Sequence, residues 1–367
     1  MVLTKGDDFP IHQTPEPVAL TTGERNFYDR YFFNGYGPDG SNFFAIAFGV
    51  YPQLGVVDAH FSCIRGGIQH CLHVSREMGE ERMDLSAGPI RIEIVEPLKQ
   101  VRVVLDNGEG ISADITFTAR SAPIEEPRFT YRQGARLVMD YTRMTQNCAV
   151  EGWISVDDER RDLIDGSLGT RDRSWGIRPI GASDAQPSAP PKNPQFFWQW
   201  TPVNFPTRSV FFHLNADQTG AAWNTRAVIA PNGAAQGEAC EVAGPVMDSP
   251  LKPGSRWPDG GVLTIPGESG AAAEQFTFRI VGRFQMRGLG YTSPDWGHGL
   301  YQGALKIERE DFTLDDLDPL EIPNFHVQML CEVSGADGES GFGIFEQLLF
   351  GAYDPLGLKG LTDGGAA

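Results

Sequence analysis

The sequence of 367 residues has few cysteines, and none lies in a pattern that binds metal or builds a disulfide framework. There are five, an odd number with no C-x-x-C pair: Cys63, Cys71, Cys148, Cys240 and Cys331. Scattered cysteines of this kind are typical of proteins from reducing compartments. The histidine-containing stretch HFSCIRGGIQHCLH also lacks the spacing of a zinc site. The sequence therefore predicts a cytoplasmic protein with no bound metal.

Long hydrophobic runs and positive charge are scarce as well. No stretch approaches the roughly eighteen apolar residues needed to cross a bilayer, and the N-terminus lacks the apolar core of a signal peptide. Lys and Arg number 30 against 48 Asp and Glu, which gives a formal net charge of −18. An acidic surface repels phosphate backbones, so nucleic acid is not expected as a partner. Solubility explains the charge, and an acidic surface for a protein partner is a further alternative.

Helical patterns are nearly absent. The chain is interrupted by 43 Gly and 26 Pro, and the segments between them alternate apolar with polar residues, as in IRIEIV, ISADITFTAR and QFTFRIVGRFQM. Alternation with period two predicts antiparallel strands, and Asn107-Gly108 predicts a hairpin turn. Only RNFYDRYFF, from Arg25, has a pattern that suits one or two helical turns. The sequence therefore predicts an all-β fold, as a sandwich or as barrels.

A segment rich in Pro, Ala and Ser divides the chain almost in half. It is GASDAQPSAPPKNPQ, residues 181–195, and its lack of periodicity is typical of a linker. We therefore predict two β domains, residues 1–185 and 186–367. The segments LGTRDRSWG (168–176) and LGYTSPDWG (289–297) share Leu-Gly and Trp-Gly at the same spacing, one in each half. That match suits either a duplication or chance.

The segment LGTRDRSWG holds the densest polar cluster of the chain. On a strand, successive side chains alternate, so Asp172 would point to one face and Arg171, Arg173 and Trp175 to the other. In an apolar cavity Asp172 would be a general acid, because desolvation favours its protonated form. Folded back against an arginine, it would be a structural ion-pair partner. The residues alone leave both interpretations open.

Aromatic and polar side chains supply a second set of candidates. In QFFWQW, Trp198 and Trp200 share one strand face, where they would fill a core or line a ligand pocket. In the C-terminal half, NFHVQMLCEV places His326 and Gln328 on one face, and GFGIFEQLLFG carries Glu346 inside an apolar run. As hairpin neighbours, these polar groups would either satisfy one another or line a cavity.

The segment EGWISVDDERRDLIDGSLGTRDRSWGIRP resembles the signature of the lipocalin-like superfamily that includes carotenoid 1,2-hydratase and AttH-type proteins. PDWGHGLYQGAL and FHVQMLCEV…GFGIFEQLLFGAYDPLGL resemble later segments of an uncharacterised branch of that group. The similarity runs roughly from Asn26 to Leu358. It implies two tandem lipocalin-like antiparallel β-barrels.

The resemblance also assigns roles to residues. In the hydratases a Tyr-x-Asp pair within this motif is implicated in protonating a double bond. The Asp of that pair falls on Asp172 and the motif's Trp on Trp175, whereas the Tyr position falls on Thr170, which has no phenol. Gln146 matches a Glu-Gln element of related proteins, with Thr145 in place of the acid. The His-x-Trp element of the hydratases has no counterpart here.

Residues and resemblance together predict a cofactor-independent enzyme that acts on a hydrophobic small molecule of terpenoid, steroid-like or polyketide-like character. The reaction would be acid-catalysed hydration, dehydration, isomerisation or cyclisation, with Asp172 as the acid and Arg171 or Arg173 orienting it. Substrate binding is assigned to seven side chains: Gln146, Trp175, Trp198, Trp200, His326, Gln328 and Glu346. The alternative is a non-catalytic carrier of lipophilic ligands, and a homodimer is left open.

Overall fold

The computed structural model describes residues 3–12, 23–183, 189, 194–267, 272–336 and 338–366. The chain divides into two units, Met1–Pro187 with Gly288–Phe312, and Ser188–Arg287 with Thr313–Ala367. Regular structure in the described ranges is almost entirely antiparallel β-sheet, which confirms the all-β prediction. Most of the predicted linker, 184–188 and 190–193, lies outside the described residues.

The sheet of the first unit has fourteen strands in the described residues. They are β1 (Phe27–Tyr36), β2 (Phe44–Tyr51), β3 (Val56–Arg65), β4 (Ile68–Glu77), β5 (Ser86–Ala87), β6 (Ile90–Glu96), β7 (Gln100–Gly108), β8 (Ile111–Ala119), β9 (Ile124–Glu125), β10 (Phe129–Gln133), β11 (Arg136–Val156), β12 (Glu159–Asp162), β13 (Leu168–Ile177) and β21 (Leu305–Thr313). Their order is β21-β4-β3-β2-β1-β13-β11-β8-β7-β6-β5, with β9, β10 and β12 also paired to β11.

The sheet of the second unit has nine strands in the described residues. They are β14 (Phe196–Asn204), β15 (Arg208–Ala216), β16 (Ala222–Pro231), β17 (Cys240–Val242), β18 (Val246–Asp248), β19 (Gly261–Ile265), β20 (Glu274–Gln285), β22 (Val327–Gly335) and β23 (Ser340–Phe350). Their order is β17-β16-β15-β14-β23-β22-β20-β19-β18. The helices of the described ranges are short 3-10 segments: Lys5–Asp8, Met286–Leu289, Leu314–Asp316, Ile322–Asn324 and Asp354–Leu356. None of them has the length and apolar character that a bilayer span requires.

Each sheet curls around an apolar core on one of its faces. In the first unit Tyr31 and Phe33 of β1 belong to this core, together with side chains of β2, β3, β4, β6, β7, β8 and β11. In the second unit the corresponding core contains Phe212, Phe276 and Phe345. Residues paired across antiparallel strands point to the same face, so the apolar side of one strand is continued by the next.

Two local predictions have different outcomes. The hairpin at Asn107-Gly108 is confirmed, since β7 ends at Gly108 and pairs there with Ile111 at the start of β8. The helical turns expected from Arg25 are wrong, because from Phe27 the segment forms β1, with β13 on one side and β2 on the other. All ten residues of β1 are buried. Strand pairing on both sides outweighs the weak local helix preference.

The N-terminal segment is fixed to the first sheet by a buried ion pair. Asp8, at the end of the 3-10 helix Lys5–Asp8, pairs with Arg171 of β13, and both side chains are almost fully buried. The hydroxyl of Tyr31 donates to the carbonyl oxygen of Asp8 at 2.6 Å. The backbone N–H of Leu98 also donates to the Asp8 carboxylate. The carboxylate therefore neutralises a buried guanidinium and connects three separate parts of the chain.

The segment Gly288–Phe312 packs with the first unit, although it comes from the second half of the chain. Ser62 donates to the carbonyl oxygen of Gly288 at 2.8 Å, and Ser75 donates to that of Leu300 at 3.1 Å. The N–H of Gly299 donates to Asp58 at 2.7 Å, and β21 then pairs with β4. The predicted domains, 1–185 and 186–367, place residues 288–312 in the second domain. In the structure these residues belong to the first unit, because β3 and β4 supply their hydrogen-bond partners.

The two Trp-Gly segments do not form equivalent elements. Residues 168–177 are strand β13, whereas 289–297 continue from a 3-10 helix into turns. Pro294 in the second segment has no N–H for a strand ladder. Trp175 stacks on His12 and Trp296 on His73, with ring centroids 3.7 and 5.2 Å apart. The shared sequence pattern is therefore not a structural repeat.

Two buried histidines lie beside the segment Gly288–Phe312, on the face of β3 and β4 opposite the apolar core. The Nδ1 atoms of His60 and His73 are 2.9 Å apart, so one ring donates to the other. Asp58 Oδ1 lies 3.8 Å from His60 Nε2 and also accepts from the Tyr51 hydroxyl at 3.1 Å. Burial lowers the pKa of His60 to about 4, although the nearby carboxylate of Asp58 acts to raise it. The ring is therefore neutral at pH 7.

Asp8→Asn is expected to destabilise the protein by about 3–5 kcal/mol, because it leaves Arg171 buried without its counter-charge. The matched control is Asp106→Asn, which removes a carboxylate that pairs with Arg91 while 67% exposed. That change should cost less than about 1 kcal/mol. Urea unfolding of the three proteins measures both values. Equal losses in the two variants would contradict the structural role of Asp8.

His60 is expected to make stability depend on pH in acid. Its pKa is about 4 when folded and near 6.5 when unfolded, so in this window the unfolded chain binds the proton. The free energy of unfolding should thus fall by roughly 2.5 kcal/mol from this group between about pH 7.5 and about pH 4.5. In urea unfolding at both pH values, His60→Gln should lose less stability than the wild type by that amount. An identical pH dependence would show that His60 titrates normally.

Candidate functional site

Strand β13 places its central polar residues on two faces, as the strand prediction requires. Arg171 pairs across the sheet with Phe33 and Arg173 with Tyr31, so both arginines lie on the face of the apolar core. Asp172 lies on the opposite face, and its side chain is 13% exposed. The strand thus separates the carboxylate from the two arginines that flank it in sequence.

Both arginines have partners of their own on the core face. Arg171 is paired with Asp8 and donates through Nε to Gln146 at 2.7 Å. Arg173 is paired with Asp29 and donates to the carbonyl oxygen of Arg30 at 2.8 Å. The prediction that Arg171 or Arg173 orients Asp172 does not fit this geometry, because alternation along the strand points them away from it.

Two other predicted binding residues belong to the same structural network. Gln146 donates to the carbonyl oxygens of Leu98 and Ser121 at 2.9 and 2.7 Å. Trp175 stacks on His12, whose Nδ1 lies 2.8 Å from the carboxylate of Asp29. These contacts hold the N-terminal segment against the sheet, and a substrate role for either residue is not needed to explain them.

Asp172 meets a different arginine on its own face. Its carboxylate lies 3.9 Å from Nε of Arg143, which is 3.5 Å from the carboxylate of Glu126. Thr145, paired with Asp172 across the strands, donates to Glu126 at 2.6 Å. On this face Asp172 is therefore an ion-pair partner of Arg143.

The second unit brings the other candidates together in one row across its sheet. His213 pairs with Trp200, Trp200 with Glu346, and Glu346 with Gln328, on the adjacent strands β15, β14, β23 and β22. Paired residues share a face, so the four side chains lie on the face opposite the apolar core. The hairpin of β22 and β23, predicted from their polar residues, is confirmed by this register.

Glu346, one member of this row, accepts hydrogen bonds from three side chains. Trp198 donates through its indole N–H at 3.0 Å, and Gln328 donates its amide at 2.6 Å. Nε2 of His326 lies 2.8 Å from Oε1 of Glu346. Glu346 is 8% exposed and the other three side chains are less so. The polar groups of the hairpin therefore satisfy one another, and in doing so they fix one carboxylate against one imidazole.

Two neighbouring polar residues bond to groups outside this row. Asn324 ends the 3-10 helix Ile322–Asn324, and its carbonyl oxygen accepts from Trp257 at 2.7 Å. Gln347 lies on the core side and bonds to Gln199 at 3.0 Å. Within the described ranges no three His, Cys, Asp or Glu side chains are grouped as metal ligands.

His213 was missed by the sequence analysis. Its ring stacks on Trp198 with centroids 6.0 Å apart and an interplanar angle of 26°. The signal was present, since TRSVFFHL places a histidine on an apolar strand, where an imidazole needs a partner. The identity of that partner depends on which strand lies next to β15, and local sequence does not supply this.

Comparisons with known proteins agree on the fold. The family of unknown function DUF8625 matches residues 3–359. No curated protein matches the chain. An AttH-like protein from Nitrosomonas europaea is similar in structure, with a TM-score of 0.56, 11% identity and coverage of 92% of this chain and 96% of that one.

Two further solved structures are similar. CghA has a TM-score of 0.52 and 12% identity, and the alignment covers 94% of this chain and 96% of CghA. Kievitone hydratase from Nectria haematococca has a TM-score of 0.47 and 11% identity, with 95% and 93% coverage. At such identities the likeness concerns the fold, and the two structures with TM-scores of 0.56 and 0.52 confirm the resemblance to lipocalin-like AttH-type proteins. The chain therefore belongs to the family DUF8625, and its fold is the lipocalin-like fold of AttH-type proteins.

Proposed function

We propose that the protein is a cofactor-independent enzyme that transfers a proton to or from a hydrophobic small molecule. The observation that carries the proposal is the contact of His326 Nε2 with Glu346 Oε1 at 2.8 Å, on a carboxylate also held by Trp198 and Gln328. Acid-catalysed hydration, dehydration, isomerisation and cyclisation all begin with such a transfer. A terpenoid, steroid-like or polyketide-like skeleton is the substrate class that fits an aromatic surrounding.

His326 is the group proposed to exchange the proton. With its Nε2 proton donated to Glu346, the imidazole would exchange a proton at the buried Nδ1, and the carboxylate would stabilise the cation that forms when Nδ1 is protonated. Because Trp198 and Gln328 fix Glu346, the imidazole is held in one orientation. A general acid or base needs this arrangement, since the proton moves only over hydrogen-bond distances.

Aromatic side chains on the same face suit a greasy substrate and a positively charged intermediate. Trp200 pairs with Glu346 across the strands, and Trp198 is stacked on His213. Protonation of a carbon–carbon double bond creates a carbocation, and indole faces stabilise cations by roughly 0.5–2 kcal/mol. In this proposal the tryptophans bind the substrate and lower the energy of the intermediate.

Asp172 keeps a separate place in the proposal. Its ion pair with Arg143 supports the role of a base or of a stabilising anion, in place of the general acid suggested by the resemblance. The second candidate function is a carrier of lipophilic ligands, in which Glu346 and His326 only satisfy each other's hydrogen bonds. A cytoplasmic location is part of the proposal and rests on the five free cysteines, four of them buried.

His326→Gln is expected to reduce turnover by about 10²–10⁴-fold, the usual contribution of a general acid or base. A panel of prenylated phenols, acyclic terpenoid alkenes and their hydrated alcohols is incubated with the protein in D2O and in H2¹⁸O. Proton transfer to carbon places deuterium in the product, and hydration places ¹⁸O, so mass spectrometry detects the reaction before its type is known. A carrier would bind members of the panel without introducing either label.

The matched control is His70→Gln, which removes a histidine paired with a carboxylate elsewhere, His70 Nδ1 lying 2.9 Å from Asp311. This variant should label the product as fast as the wild type. Asp172→Asn in the same assay decides whether Asp172 takes part in the chemistry. Equal labelling by the wild type and His326→Gln, with both proteins folded, would overturn the role of His326.

Trp198→Phe tests whether the fixation of Glu346 matters for the reaction. The change keeps an aromatic ring but removes the N–H that bonds to Glu346. We expect kcat to fall by about tenfold with KM little changed, since a hydrogen bond to a charged group contributes roughly 1.5 kcal/mol or more. Trp153→Phe, at a tryptophan stacked under Arg160, is the control. A rise in KM alone would assign Trp198 to binding.

A further inference from the structure

Three arginines and three tyrosines contact one another in a row in the first unit, outside the apolar core. The distances, from a guanidinium carbon to a ring centroid or between centroids, are between 4.5 and 6.0 Å. We call this set the arginine–tyrosine stack; in spatial order it consists of Arg143, Tyr141, Tyr28, Arg178, Tyr291 and Arg30. Stacking on aromatic faces is a frequent environment of guanidinium groups and contributes modestly to stability.

The outer arginines of the stack have carboxylate partners. Arg143 lies 3.5 Å from Glu126 and 3.9 Å from Asp172. Arg30 lies 3.8 Å from Asp58 and donates to the Tyr51 hydroxyl at 2.9 Å. Their positive charges are therefore matched inside the protein, as is usual for arginines removed from water.

Arg178 lies in the middle of the stack, and its surroundings differ from those of the two outer arginines. In the part of the chain that the structure describes, no carboxylate lies within ion-pair distance of its guanidinium. Its hydrogen-bond partner is Nδ1 of His298, whose Nε2 is bonded to the carbonyl oxygen of Leu289 at 3.1 Å. Burial, together with the charges of Arg30 and Arg178, lowers the pKa of His298 well below its usual range. A neutral imidazole therefore orients Arg178 without compensating its charge.

We propose that Arg178 is the anion-recognising residue of a ligand site in the first unit, and that its ligand is a small molecule bearing a carboxylate or an ionised enol. A guanidinium offers a planar pair of donors that matches two oxygens of such a group. The rings of Tyr28 and Tyr291 lie 4.5 and 5.7 Å from its carbon and hold the guanidinium in place. The inference does not depend on the proposed enzymatic function.

The first test compares acids with their neutral counterparts by isothermal titration calorimetry on the full chain. The probes are 2-naphthoate with methyl 2-naphthoate, and 4-hydroxycoumarin with 4-methoxycoumarin, so that one pair reports on a carboxylate and the other on an enol. At least one acid should bind about tenfold or more tightly than its neutral counterpart. The pair that shows the difference identifies the acidic group. Equal binding within both pairs, or no binding of either acid at millimolar concentration, would overturn the proposal.

Arg178→Met should abolish that preference and leave the affinity for the neutral probe within about twofold. Arg178→Lys keeps the charge but not the planar fork, and should retain part of the preference. The control is Arg160→Met, at an arginine that is also stacked on a ring, 4.5 Å from Trp153, and is paired with Asp162 at 2.8 Å. This control should bind every probe like the wild type.

Folding of the variants is checked by urea unfolding. If Arg178→Met does not fold, NMR of the wild-type arginine side-chain N–H groups during titration with the acid replaces it. A shift of the Arg178 signal with the acid and not with its neutral counterpart supports the site. Persistence of the acid preference in folded Arg178→Met, or an unmoved Arg178 signal, would place the anion elsewhere.

Discussion

Burial on both faces of the central strands is the constraint on which the rest of this structure depends. Every residue of β1 is buried, although alternate side chains point in opposite directions. Tyr31 and Phe33 meet the apolar core, whereas Tyr28 and Arg30 lie on the other face. Polar groups removed from water must be bonded or paired, because an unsatisfied one costs roughly 1–3 kcal/mol or more. The second face of β1 therefore combines buried aromatic side chains with polar groups that have specific partners.

The same constraint produces the features that suggest function. In the second unit, burial of Glu346 requires donors, and three side chains supply them in one fixed arrangement. In the first unit the buried arginines Arg171 and Arg173 are matched by Asp8 and Asp29. Polar groups that are fully matched rigidify a fold. Arg178 is oriented by a neutral imidazole instead, and this difference is the basis of the ligand site that we propose.

Much of the fold followed from local patterns, and part of the site did as well. Alternation identified β6, β7, β8, β20 and β22, and Asn107-Gly108 marked a hairpin, because both depend on residues close in sequence. The polar residues of β22 and β23 indicated a hairpin and left open whether Glu346 and Gln328 would satisfy one another or line a cavity. In contrast, Asp172 was assigned to Arg171 or Arg173, although it meets Arg143 of β11, which lies 29 positions earlier in the chain. The two residues meet because β11 pairs with β13, with Arg143 opposite Ser174. Sequence proximity is a poor guide where a strand separates neighbours onto two faces.

By itself, the sequence determined the fold class, the alternation of faces along each strand and the residue types available on each face. Those properties follow from local backbone preferences and from the separation of apolar and polar side chains. Only the tertiary structure decided which strands lie side by side, and hence that His213, Trp200, Glu346 and Gln328 form one row. It also decided that residues 288–312 join the first unit, where His298 orients Arg178. The pairing of Trp200 with Glu346 and the contact of His298 with Arg178 join residues 146 and 120 positions apart, and no local pattern specifies them.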